Sequence, residues 1–133
     1  MIKQKTLRTR RLFRKNNRAL VVAMDHARVF DTVTGLKDSN HVIRTVIRAG
    51  ADAILTPYGS TIQAAEELGN GGCWLSVDVT PETVVPIVET AIRLGVDGIK
   101  VEVYPWCTPE DDYFKRFSGT DSVLNVVCLA GEC

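Results

Sequence analysis

The chain has 133 residues, 45% of them hydrophobic and 24% charged, which are the proportions of a globular domain rather than of a disordered or fibrous chain. Lys plus Arg and Asp plus Glu both number 16, so net charge gives no argument for a nucleic-acid or membrane partner. No stretch approaches the roughly 18 consecutive apolar residues of a membrane span, no secretory signal core follows the basic start, and the four cysteines lack a C-x-x-C pair. A cytoplasmic protein without a zinc site or disulfide framework is expected.

The N-terminal segment, residues 1–18, is basic. Lys3, Lys5, Arg8, Arg10, Arg11, Arg14, Lys15 and Arg18 occur with no acid among them. A helix over about Leu7–Lys15 would present Leu7, Leu12 and Phe13 as a short apolar seam, with the arginines in water. An arm for nucleic acid or anionic lipid is the alternative, but a basic run alone is a weak motif. The solvated helix is the preferred reading.

Ala19–Met24 is a continuous apolar run, the pattern of a strand covered on both faces in a parallel sheet. It ends abruptly in Asp25-His26. Ligands of parallel α/β sheets bind at the carboxyl ends of strands, so this pair stands where chemistry is usually done. The bland alternative makes Asp25 a loop cap and His26 a solvated histidine.

A long loop is predicted over Asp25–Lys37. Asp38 or Ser39 then caps a helix carrying Val42, Val46 and Ile47 and stopping at Gly50. A second strand follows over Ala51–Thr56, and a helix over Ser60–Leu68 is ended by Gly69. Asn70-Gly71-Gly72 makes a turn into a third strand, Cys73–Val77, in which Cys73 reads as a small buried hydrophobe and Trp74 as core. Thr80-Pro81-Glu82 starts a helix with its proline in the tolerated first turn. That helix carries Val84, Val85, Val88, Ile92 and Leu94 up to Gly95. A fourth strand covers Gly98–Val103, and a final helix runs from near Thr120 to Cys133.

Two segments repeat. Ile47-Arg48-Ala49-Gly50-Ala51-Asp52-Ala53-Ile54 recurs as Ile92-Arg93-Leu94-Gly95-Val96-Asp97-Gly98-Ile99. Each copy ends a helix on glycine, which takes the left-handed C′ conformation without steric penalty, and then enters a strand through an Asp in a short turn. Consecutive βα units follow from this. Four in a row suggest a partial (β/α)8 TIM barrel with an extra N-terminal helix, although a complete barrel needs about 250 residues. A small doubly wound α/β domain fits the length without a missing half.

In the fourth strand, alternation puts Lys100, Glu102 and Tyr104 on one face and Ile99, Val101 and Val103 on the other. A Lys, Glu and Tyr inside a barrel mouth are candidates for proton transfer and phosphate contact. The plainer alternative is a Lys100–Glu102 ion pair. Asp78, just after the third strand, is a further candidate, or else a cap for the following helix. Trp106 falls in an acidic loop suited to a pocket mouth. No G-x-G-x-x-G or G-x-x-x-x-G-K occurs, and His26 and His41 are too sparse for a metal site, so neither cofactor nor metal is expected.

Ala19-Leu-Val-Val-Ala-Met-Asp25-His26, then Gly35-Leu36-Lys37-Asp38, then Ala49-Gly-Ala-Asp-Ala-Ile-Leu-Thr-Pro57, resembles the start of a class I aldolase barrel. That group contains deoxyribose-phosphate, archaeal-type fructose-bisphosphate and tagatose-bisphosphate aldolases and related heptulosonate synthases. The resemblance extends through Ala91–Ile99 to Val103-Tyr104 and departs at Ala27, where the family commonly has glycine.

The resemblance implies C–C bond cleavage or formation in a phosphorylated sugar or keto compound through a lysine Schiff base. It places that lysine on about the sixth strand, after an acid–base tyrosine, and the phosphate site on the last loops. It makes residues 1–133 the N-terminal half of such a barrel, with 1–18 its basic N-terminal helix and 19–133 its βα units, inactive alone and associating as a homo-oligomer or with a complementary C-terminal half. Asp25 is the catalytic position that transfers. With it, His26 and Lys100 are the candidate catalytic residues, and Tyr104 and Asp78 the candidate substrate contacts. The alternatives from other classes are a non-catalytic assembly or regulatory module and a nucleic-acid-associated protein using the basic arm.

Overall fold

The computed structural model describes residues 7–13, 17–30, 33–80 and 82–102. Their elements run in the order α1 (Leu7–Leu12), β1 (Val21–Ala23), α2 (Ala27–Phe30), α3 (Ser39–Arg48), β2 (Ala53–Thr56), α4 (Tyr58–Ala64), β3 (Gly72–Val77), α5 (Val84–Leu94) and β4 (Gly98–Val101). The fold is α/β, with a four-stranded sheet in the order β1-β2-β3-β4. The pairs β1–β2 and β2–β3 are parallel. Among the described residues the strand order follows the order of the chain.

Two compact units are distinguished. One holds the described residues up to Ser76 together with Val96–Gly98; the other holds Val77–Gly95 and the described residues from Ile99 onward.

In the first unit, register decides which side chains share a face. Val22 pairs with Ile54, which pairs with Cys73; Ala23 pairs with Leu55, which pairs with Trp74. Partners in a ladder point to the same side and neighbours in sequence to opposite sides. One face therefore carries Val22, Ile54, Thr56, Cys73 and Leu75. On it Thr56 meets Thr61 of α4, their hydroxyl oxygens 2.8 Å apart and both residues buried. Thr61 donates to the Pro57 carbonyl at 3.1 Å, so the proton shared with Thr56 comes from Thr56. Cys73 lies beside them, buried as expected, and burial pushes its thiol pKa up. The other face carries Ala23, Ala53, Leu55, Gly72, Trp74 and Ser76.

The repeat has a shared structural job that sequence alone did not show. The Asp52 carboxylate accepts the Leu20 backbone N–H at 2.8 Å, and the Asp97 carboxylate accepts that of Cys73 at 3.0 Å. Each aspartate thus clasps its incoming strand to the one before. Gly50 and Gly95 both adopt positive φ, +106° and +73°, as the helix-stop reading requires. Asp97 also holds α1 in place: Arg11 pairs with it at 2.8 Å while its own side chain is only 3% exposed. Leu12 is buried, and its methyl comes so near Gly72 that a Cβ there would collide at 2.8 Å. The seam reading of α1 holds for Leu12. Arg11 departs from it, since it pairs with a buried carboxylate rather than facing water alone.

Several expectations need correction. β1 is not covered on both faces: Val21 is 37% exposed, and Leu20 just before the strand 58%. The loop over Asp25–Lys37 contains α2, a single helical turn. In α3 the deepest residue is Ile43, fully buried, with Val42, Val46 and Ile47 half-buried beside it. Asp38 does cap α3, accepting the His41 N–H at 3.0 Å. The fourth helical segment starts earlier than expected, at Tyr58, and α4 proper ends at Ala64.

Arg44 of α3 makes a bidentate pair with Glu67, both bonds 2.6 Å, and the guanidinium holds Glu67 below the usual carboxylate range. A lowered folded pKa means a contribution that is complete above the unfolded Glu pKa near about 4.3 and lost as pH falls through the folded value. Arg44→Met should therefore lower the urea midpoint slightly near neutral pH and leave it unchanged at about pH 2. An equal loss at both pH values would show that packing, not charge, is what Arg44 contributes.

In the second unit, Val79, Val84 and Val88 are buried together, with Val77, Ile87, Ile92, Ile99 and Val101 packed against them. Val85 is 47% exposed, about 100° around the helix from the buried Val84. α5 begins at Val84 with Thr83 at its N-cap, and Pro86 stands in its first turn. Pro81, the end of the predicted fourth strand at Val103 and the predicted Thr120–Cys133 helix lie outside the described residues.

Candidate functional site

β1 delivers Asp25 just past its last paired residue. Met24 still donates to the Leu55 carbonyl at 2.8 Å, and the chain then turns. Arg28 N–H donates to the Asp25 carbonyl at 3.1 Å and Phe30 N–H to the His26 carbonyl at 2.9 Å, which folds α2 back over the strand end. That single turn returns the Arg28 side chain to the neighbourhood of Asp25.

β3 delivers Ser76, which is 3% exposed. Its hydroxyl donates to Asp25 Oδ2 at 2.6 Å and accepts from Arg28 Nη1 at 2.5 Å. Continuing the ladder register beyond Ala23↔Leu55 and Thr56↔Leu75 sets Asp25 and Ser76 level with Pro57 of the strand between them. Both residues continue the sheet face opposite Ile54 and Thr56. Three side chains, an acid, a hydroxyl and a guanidinium, thus converge at the carboxyl ends of β1 and β3. The distance from Ser76 to Asp25 is that of a charge-assisted O–H···O⁻ bond. Such an arrangement can hold a carboxylate in one orientation toward a bound hydroxyl or a proton in transfer.

Neither Ser76 nor Arg28 was singled out from sequence. A signal for Ser76 existed: it is the one polar residue inside Cys73-Trp74-Leu75-Ser76-Val77, and buried hydroxyls require partners. Arg28 had none, because α2 is too short for a periodic pattern.

The other predicted site residues fall as follows. His26 is exposed beside Asp25. Asp78 is exposed in the second unit, and the N-cap position of α5 is Thr83. Thr80 and Thr83 close the turn before α5, the Thr80 N–H donating to Thr83 Oγ1 at 2.9 Å. Lys100 and Glu102, also in the second unit, form an ion pair, each about a quarter exposed. They therefore share a side of the strand, as alternation requires. Tyr104 and Trp106 lie outside the described residues. Trp74 is half-buried rather than fully core, and its indole ring lies against Gly98, where a Cβ would meet it at 2.9 Å. Among the described residues no group of three or more His, Cys, Asp or Glu side chains is placed to hold a metal ion, and no helix is long and apolar enough to cross a membrane.

No protein-family model matches the chain, and no solved structure matches it. Among curated proteins it is similar to the 2-amino-3,7-dideoxy-D-threo-hept-6-ulosonate synthase of Halobacterium salinarum. The two are 31% identical over 107 residues, covering 74% of this chain and 40% of the relative. The chain thus spans about two fifths of the length of the curated relative that it matches. The comparisons show a distant, partial similarity to an aldolase-type synthase.

Proposed function

We propose that this chain forms the first part of a (β/α)8 barrel of class I aldolase type, which makes or breaks a C–C bond in a phosphorylated sugar or related keto compound. The observation that carries the reading is the Asp25 carboxylate, held by Ser76 at the carboxyl end of β1, on the sheet face opposite Ile54 and Thr56. In a barrel that face is the interior, and the carboxyl ends of the strands form the active-site mouth. The unreversed strand order and the similarity to a heptulosonate synthase support the same reading.

Asp25 would orient the substrate hydroxyl or take its proton as the C–C bond breaks, with His26 beside it at the mouth. The electron sink in this chemistry is the iminium formed when a lysine amine condenses with the substrate carbonyl and releases water. A lysine does this only when deprotonated, which burial or neighbouring positive charge favours. Lys100 is paired with Glu102, the arrangement of a structural ion pair. Lys100 is accordingly assigned a supporting role, with the Schiff-base lysine in the part of the barrel that this chain does not span.

The test is borohydride trapping with dihydroxyacetone phosphate, followed by mass mapping. The chain alone is expected to give no adduct. Together with the remainder of the barrel, it should give a stoichiometric adduct on a lysine of the added part. An adduct on Lys100 in the isolated chain would reverse the assignment, and no adduct in either preparation would end the aldolase reading.

A further inference from the structure

We propose that Arg28 and Ser76 act as a directional pair of positioning residues, which fixes the orientation of the Asp25 carboxylate by dictating where the Ser76 proton points. The inference deepens the aldolase reading, in that it names what holds the reacting carboxylate.

A guanidinium has donors and no acceptor. In the 2.5 Å contact between Arg28 Nη1 and Ser76 Oγ, the serine oxygen must therefore accept. A hydroxyl has one proton, and with a lone pair committed to Arg28 that proton is directed to the remaining partner, Asp25 Oδ2, at 2.6 Å. The carboxylate, which can only accept, asks the serine for the same proton, and the arginine reinforces that direction by occupying the oxygen from the other side with a charged donor. Arginine, rather than lysine, keeps the direction fixed at every ordinary pH, since it stays charged.

Burial makes the relay hard to replace. Ser76 is 3% exposed, so a water molecule has little room to take over the hydroxyl's position. The three residues also come from three elements: the end of β1, the turn of α2 and the end of β3. The orientation of one carboxylate is thereby tied to the pairing of strands 51 residues apart in sequence. A charged donor on one side of the hydroxyl and an acceptor-only carboxylate on the other favour one and the same position of the serine proton.

The test reads the hydrogen bond itself, in the 133-residue chain, without relying on activity. With aspartate carboxyl carbons labelled with ¹³C, the Asp25 signal should show an H/D isotope shift on changing from H₂O to D₂O. That shift is expected to disappear in Ser76→Ala, to fall toward the Ser76→Ala value in Arg28→Met, and to be retained in Ser76→Thr. A wild-type shift in Arg28→Met would overturn the directional role of the arginine, and one in Ser76→Ala would overturn the relay. Should Ser76→Ala fail to fold, Arg28→Met and Ser76→Thr still decide the question.

In the completed barrel, Ser76→Ala and Arg28→Met should lower kcat by up to about 100-fold, the scale of an ångström of misplacement, while KM changes little. Ser76→Thr should restore kcat. An unchanged kcat in both variants, with the isotope shift lost, would show that the relay forms but does not serve turnover. Absence of a trapped adduct in the completed wild-type protein would remove the aldolase reading while leaving the isotope result to stand by itself.

Discussion

Asp25→Asn is expected to lower turnover of the completed barrel by about 100- to 10,000-fold, the usual scale for losing a positioned acid or base. The fold should be nearly indifferent to the change. The amide keeps the size of the carboxylate and retains one oxygen able to accept the Ser76 proton, which now makes its 2.6 Å bond to Oδ2. What is lost is the negative charge and with it the capacity to take a proton. Single-turnover kinetics alongside urea denaturation separates the two. Equal turnover with an unchanged midpoint would assign Asp25 to the architecture of the turn, where its backbone carbonyl already accepts from Arg28.

A second large effect is expected at the opposite ends of the strands. Asp97→Ala should destabilise the chain by about 1–3 kcal/mol, the cost of leaving a buried donor unsatisfied. Its carboxylate accepts the Cys73 N–H and pairs with Arg11 while almost wholly buried. Asp52→Ala, the same change in the other copy of the repeat, should cost less. The Leu20 N–H that Asp52 accepts lies at an exposed position and can bond to water instead. Urea titration of both variants checks the asymmetry; equal losses would mean that burial is not what distinguishes the two clasps.

Much of the framework was legible in the residues. Glycines at 50 and 95 ended helices where expected, β1, β2 and β4 arose within the predicted runs and β3 one residue ahead of its own, at Gly72, and Asp38 capped α3. These features depend on local preferences that a short window contains. The miss at β1 has a cause of the opposite kind. The exposure of a strand face depends on what packs over it, and no pattern within Ala19–Met24 carries that information.

At the candidate site, Asp25 stood out because a charged residue broke an apolar run at a strand end. Ser76 and Arg28 became visible only when register brought β1 and β3 level and α2 turned back. Lys100 drew attention as a cation in a strand. The structure pairs it with Glu102, the plainer of the two readings open from alternation. Tyr104 stays with the sequence argument alone.

The paired aspartates also bear on the order in which such a sheet can assemble. Asp52 reaches back 32 residues to Leu20, and Asp97 reaches back 24 to Cys73. Each new strand brings its own means of recognising the strand already laid down, and it does so across one helical crossover rather than across the whole chain. Parallel sheets are slow to form because distant partners must be found before any contact rewards the search. Clasps that look back by one unit turn that search into a series of short loop closures, each adding little entropy cost beyond the last. A chain built this way can fold in the direction in which it is synthesised, one βα unit at a time, with every strand docking onto an edge that is already there.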